Sequence, residues 1–417
     1  MSASGFVPAR LVAWIGMLFL VAPVWTLAPA AAQDWPQWRG PERSGLSRET
    51  GLLRSWPKEG PPLVWQIRDA GLGYSGPAIV PGRLVTLGSR GGQEYILCYD
   101  LQNGKEQWAV RVGPPFRPGE GPRSTPTVDG DRVYALGSSG ELCCVQLTDG
   151  RELWRLNILT QFRGRMIDHG ISESPLVEGK MVIVTPGGED GTLVALDKLT
   201  GKTLWTSKDP RGTVPASYAS PIAFTVGGVR QIATLTGKGA IGVRAEDGKF
   251  LWRNQRIADG FIIVTPVFAR DHIFFTQGPE TGSVLLRLTA AGEAQEVYFD
   301  RRGMRNHHGG VVLVDDYLYG YSDLILTCMK FDTAEVAWRD RSVGKGSLCC
   351  ADGHLYILSE DGVVGLVEAT PQGYREKGRF QLPANSGQKT WTHPVVAGGR
   401  LYLRDQQTIS CYDVTAR

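Results

Sequence analysis

The sequence predicts an all-β fold, an eight-bladed β-propeller whose ring is closed by an N-terminal strand. Three observations predict it. A hairpin phrase ending in tryptophan recurs at Trp108, Trp154, Trp205 and Trp252, with spacings of 46, 51 and 47 residues. This is the length of a four-stranded blade. A second phrase, an apolar strand, a Gly/Asp turn and another apolar strand, occurs eight times, opened by proline in six of them. The two ends of the chain are complementary, because the last blade lacks its closing strand and an unmatched strand precedes the first blade. Composition agrees: 53 Gly and 12 Trp without long amphipathic helical patterns suit short strands and tight turns.

The elements follow in order. Arg10 precedes LVAWIGMLFLVAPVWTLAPAAAQ, an apolar stretch ending in small residues, which reads as a secretory signal peptide over 1–32 cut after Ala32. No other stretch reaches the length that spans a bilayer. The mature chain is therefore expected in the periplasm or outside the cell, as a monomer without a transmembrane segment. Residues 33–62 form an N-terminal extension, and 63–417 the propeller. The strand PLVWQI, with Trp65, is expected to complete the eighth blade. The blade hairpins are LCYDLQNGKEQW, LCCVQLTDGRELW, LVALDKLTGKTLW, IGVRAEDGKFLW and the decayed LTCMKFDTAEVAW, which ends at Trp338. Each reads as an alternating strand, a Gly turn and a second strand closed by an aromatic. The proline phrases run from YSGPAIVPGRLVTL to WTHPVVAGGRLYL. Closing the ring removes the open sheet edges that invite aggregation.

Charge excludes one class of partner. The 45 Lys+Arg nearly balance the 42 Asp+Glu, and no basic run tracks a phosphate backbone, so nucleic acid is not expected. The adjacent pairs Cys143–Cys144 and Cys349–Cys350 suggest redox chemistry at first sight. Aligned on the closing tryptophan, however, Cys98, Cys144, Cys328 and Cys411 share one column with Ala195 and Gly242. That is a small-residue position on a strand, where Cys acts as a small hydrophobe. Neighbours on a strand face opposite ways, which does not suit a vicinal disulfide. Seven cysteines without CxxC or Cys/His spacing form neither a disulfide framework nor a zinc site.

The phrase LVALDKLTGKTLW resembles the PQQ-like repeat, named after the pyrroloquinoline-quinone dehydrogenases. The stretch DWPQWRGPERSGLS resembles the opening of exported PQQ-like propeller proteins of planctomycete-type bacteria. The resemblance covers essentially residues 33–417. It implies the propeller fold. For activity it implies two readings, a binding or assembly scaffold like the outer-membrane assembly lipoprotein of the BamB type, or a PQQ-dependent dehydrogenase of an alcohol or sugar. The second would need pyrroloquinoline quinone and calcium. The fold alone chooses neither.

A site is expected at one mouth of the central channel, where the first strand of each blade begins. The residue three before the proline position of each phrase gives a ring of Tyr74, Arg123, Ser172, Tyr218, Ile263, His308, Lys345 and Trp391. Glu173, His307 and His393 are near neighbours, and Asp168 and His169 lie just upstream of Ser172. Of six histidines, four (His169, His307, His308 and His393) fall at this level. Aromatics and cations facing each other in a concavity suit a small-molecule or saccharide ligand. A protein partner on the outer face is the alternative. Arg123 and Lys345 could pair with carboxylates of a quinone, and Trp391 or Tyr218 could stack on its ring. Glu173 is the clearest carboxylate for calcium. A metal held by the histidines is a further reading. The cation pair predicts an anionic or polar ring-shaped ligand whose binding weakens with salt.

Overall fold

The computed structural model describes residues 1, 2, 5, 34–117, 120–279, 281–383 and 386–416. Residues 1–31 and 32–417 are separate units; the expected signal peptide lies, but for three positions, outside the described residues. The second unit is an all-β propeller of eight four-stranded antiparallel sheets. Blades one to seven are each continuous in sequence, opening with strands at Ala78, Thr127, Leu176, Ile222, Val267, Val311 and Gly346. The eighth takes three strands from the C-terminal end (Val395–Ala397, Arg400–Asp405, Thr408–Asp413) and its outermost strand from Leu63–Ile67. Trp65 faces Cys411 there, as the closing tryptophan of any other blade faces its partner.

One pairing explains the cysteine column. Cys98 is opposite Trp108, Cys144 opposite Trp154, Ala195 opposite Trp205, Gly242 opposite Trp252 and Cys328 opposite Trp338. The ladder shifts register just beyond each of these pairs, so a β-bulge recurs at the same place in every blade hairpin. Trp252 folds over Gly242 of its own blade and donates to Gln231; in five other blades the indole lies over the turn of the next blade. Trp65, Trp108, Trp154, Trp205 and Trp338 donate Nε1–H to the carbonyls of Leu101, Leu147, Lys198, Ala245 and Thr370. The turn glycine beneath serves two needs. Gly150 has φ +74°, and a Cβ there would sit 2.9 Å from the Trp108 ring. All seven cysteines are free and buried. Burial pushes the Cys144 thiol up to about 11 and the Cys143 thiol up to about 12, so neither is a ready nucleophile.

Apolar clusters lie between adjacent sheets, as between the first and second blades (Leu87, Ile96, Val133, Cys143) and the fourth and fifth (Phe224, Leu235, Phe275, Leu286). At the seam between the last and first blades sits Arg404, fully buried. Its guanidinium donates to the carbonyls of Ser75, Leu87, Ala70, Gly71 and Gln406 and to the Thr86 hydroxyl. Among the described residues no helix is long and apolar enough to cross a membrane.

The extension is laid into the ring. Trp35 exchanges backbone hydrogen bonds with Ile79 of the first blade, and Pro36 accepts from Val128 of the second. Arg43 donates to the carbonyls of Ser174 and Pro175, before the third blade, and of Pro221, before the fourth. Trp38 donates to Thr265 beside the fifth, Arg39 to the Val311 carbonyl of the sixth, and Gly45 accepts from Cys350 of the seventh. Glu49 accepts from Gly398 and Gly399 of the eighth. Residues 35–49 thus touch every blade and plug the channel from one side.

Candidate functional site: an aromatic cavity above the plug

The proline phrases run extended toward the axis, so alternate residues face the channel. Against the plug they enclose a cavity of about 240 Å³. Seven of the eight expected ring residues line it: Tyr74, Arg123, Ser172, Tyr218, Ile263, His308 and Trp391. His169, His307 and His393 line it too, so all four mouth histidines come together. Tyr74 and Trp391 stack with centroids 4.7 Å apart. Tyr218, His169 and Phe261 form a second aromatic group, with His169 at 5.3 Å from Phe261 and 6.0 Å from Tyr218. The plug supplies a wall of the cavity in Trp38, whose ring lies 4.5 Å from that of His393.

Three expected residues do not face the cavity. Glu173 follows a lining serine, so alternation turns it into the protein, where it is 2% exposed and accepts from the Thr185 amide. Burial pushes its carboxyl up to about 7, opposed by that hydrogen bond and by the nearby Arg43. Asp168 is exposed on the preceding loop. Lys345 lies behind the histidines, 3.1 Å from His307 Nδ1 and 3.0 Å from Glu360.

The cation at the mouth is also committed. Arg123 pairs with Glu120 at 2.8 Å, donates to the His169 carbonyl and lies over the Tyr74 ring. Burial holds His393 down at about 3 and His308 well below its ordinary value, helped for His308 by Lys345, so both imidazoles are neutral at pH 7. His393 Nε2 is 3.0 Å from the His308 carbonyl and therefore carries the hydrogen of that bond.

Sequence reasoning missed Trp38, Ser174, Ser220 and Phe261. The serines had a signal, because the residue just before each proline is a small hydroxyl in four phrases: Thr125, Ser174, Ser220 and Thr265. They link blades, with Thr125 N–H donating to Ser174 Oγ and Ser174 N–H to Ser220 Oγ.

The donors here do not fit a calcium-bound quinone. No carboxylate lines the cavity among the described residues, and Asn306, whose amide nitrogen donates to the carbonyls of Gly310 and Tyr321, is fully buried outside the lining. Three quinone carboxylates would meet one arginine that is already paired. Among the described residues no group of three or more His, Cys, Asp or Glu is placed to hold a metal ion.

Comparisons with known proteins agree with the architecture. The outer membrane protein assembly factor BamB of Kangiella koreensis is 29% identical over 136 residues, and the match covers 31% of each chain. Among solved structures, BamB from Moraxella catarrhalis superposes with a TM-score of 0.60 at 16% identity, covering 84% of this chain and 99% of that one. Quinohemoprotein alcohol dehydrogenase from Comamonas testosteroni gives 0.66 at 12% identity, covering 92% and 81%. At such identities the two likenesses show the fold alone. The family described as outer membrane protein assembly factor BamB matches residues 92–340, more than half of the chain. A PQQ-like repeat propeller with these blades and that match belongs to this family.

Proposed function

We propose that the protein is an exported binding or assembly scaffold that holds a small ligand at the channel mouth and does not turn it over. The observation that carries this reading is the lining of the cavity: aromatic rings and the neutral imidazoles of His308 and His393, with no carboxylate among the described residues and a single, paired arginine. Such a lining binds by contact and hydrogen bonding. It offers no base with a substrate-facing carboxylate and no hard-cation site. The family description supports the assembly role, and the N-terminal leader read from the sequence supports export. A partner protein would then dock on the outer faces of the blades.

Two measurements test the reading. Dye-linked dehydrogenase activity after addition of pyrroloquinoline quinone and calcium should stay at background with alcohols and sugars; turnover would overturn it. A thermal-shift ligand screen should give hits that weaken in Trp391→Ala by roughly 1–3 kcal/mol, the scale of a lost stacking surface. Hits that bind the variant as tightly as the parent would move the site elsewhere.

A further inference from the structure

We infer that the mouth cavity takes a single neutral sugar ring, held between the Tyr74–Trp391 pair and the Tyr218–Phe261 group. This rests on the reading of the mouth as a ligand site and names the chemistry of its occupant. Tyr74 and Trp391 lead into the first and eighth blades, and Tyr218 and Phe261 into the fourth and fifth. In a ring of eight these pairs lie across the axis from each other. The cavity, about 240 Å³, falls below the ~300–1,000 Å³ common for drug-sized ligands. It suits one substituted ring and not a fused polycycle.

The hydrogen-bonding groups that remain unspent are neutral. Ser174 and Ser220 accept backbone N–H groups, and neither hydroxyl donates to a protein acceptor among the described residues. Trp391 Nε1 and His308 Nε2 also lack a hydrogen-bond partner, but both atoms are buried behind the cavity surface and offer a ligand nothing. The His308 side chain is 8% exposed and lies on the cavity wall, with Glu360 3.5 Å away. A ligand that covers the two serine hydroxyls and offers them no acceptor leaves both unpaired, at a cost in affinity. A purely apolar aromatic ligand would incur that cost. A cation would meet Arg123 and no facing carboxylate, and an anion would find Arg123 already bound to Glu120. A sugar ring meets both demands, with apolar C–H faces for the aromatic walls and edge hydroxyls that donate and accept.

The test is calorimetric titration of the mature chain with neutral monosaccharides, with oligosaccharides ending in the same sugars, with inorganic phosphate and with naphthoquinone. At least one neutral monosaccharide should bind saturably, with the same affinity at low and high salt. Trp391→Ala and Phe261→Ala should each weaken it roughly tenfold. Phe261 is 44% exposed, so its variant keeps the test alive if Trp391→Ala fails to fold. Equal affinity for the oligosaccharide would identify free sugar as the source, and tighter binding would identify a glycan end; both support the inference. Binding of phosphate or naphthoquinone alone, lost in Trp391→Ala or Phe261→Ala, overturns the sugar and leaves the mouth a ligand site. No binding sensitive to either substitution overturns both.

Discussion

Glu173 shows what a single position in an extended segment decides. It sits between Ser172 and Ser174, which both line the cavity, and so points the other way. Its carboxyl, pushed up to about 7 by burial, keeps a proton in the folded state after the unfolded chain has lost it. The folded state binds more protons over that interval, so this group's contribution to stability falls as pH rises from about 4.5 to about 7. Urea midpoints of the parent and of Glu173→Gln should therefore diverge across that window, with the parent losing ground as pH rises. A difference that does not change with pH would mean the carboxyl is solvated. The sequence made the mouth histidines and aromatics legible because a proline marks the same register in six of the eight phrases. It did not reveal Glu173's direction, since a neighbour one residue away looks equally close until strand alternation is applied.

At the scale of the element, the repeated turn was the most legible part of the chain. A glycine and a tryptophan at constant offset encode a left-handed turn, a bulge and an indole that caps the next blade. The sixth blade departs from this pattern. Ala334 occupies the glycine position with φ +60°, a conformation that disfavours a Cβ. Ala334→Gly should raise stability by about 0.5–1 kcal/mol in denaturant unfolding, because the relief of strain exceeds glycine's entropy cost. A loss of stability would show that the Ala334 methyl contributes packing that outweighs the strain. The plug was not legible. Residues 35–49 have no strand period, and they are held by side chains such as Arg43 reaching carbonyls of distant blades. Arg404 was equally hidden, since a strand arginine normally signals solvent. Arg404→Met would leave up to six acceptors at the seam without their donor. The expected cost is about 3 kcal/mol or more in chemical unfolding; a change below about 1 kcal/mol would mean that water replaces the guanidinium there.

For the whole molecule, the cavity and the ring are one fact. Trp391 and Tyr74 stack across the junction of the last and first blades, so this wall of the aromatic lining exists only when the two ends of the chain meet. Arg404 bonds across the same junction, and the plug spans it from below. The complementary chain ends made closure legible in the sequence, while the cavity's chemistry awaited the direction of each side chain. Both depend on the pairing of Leu63–Ile67 with Thr408–Asp413. Gln66 is opposite Ser410 and donates to its hydroxyl at 3.0 Å, so the two side chains share a face. Facing residues of an antiparallel pair are about 4.5–5.5 Å apart at Cα, within the reach of a disulfide. The measurement is oxidation of the Gln66→Cys/Ser410→Cys double variant, followed by non-reducing electrophoresis and peptide mass mapping. A closed ring gives a monomer carrying one 66–410 cross-link with the native cysteines still free. Disulfide-linked dimers, or no bond at all, would mean that the ring is open at this seam.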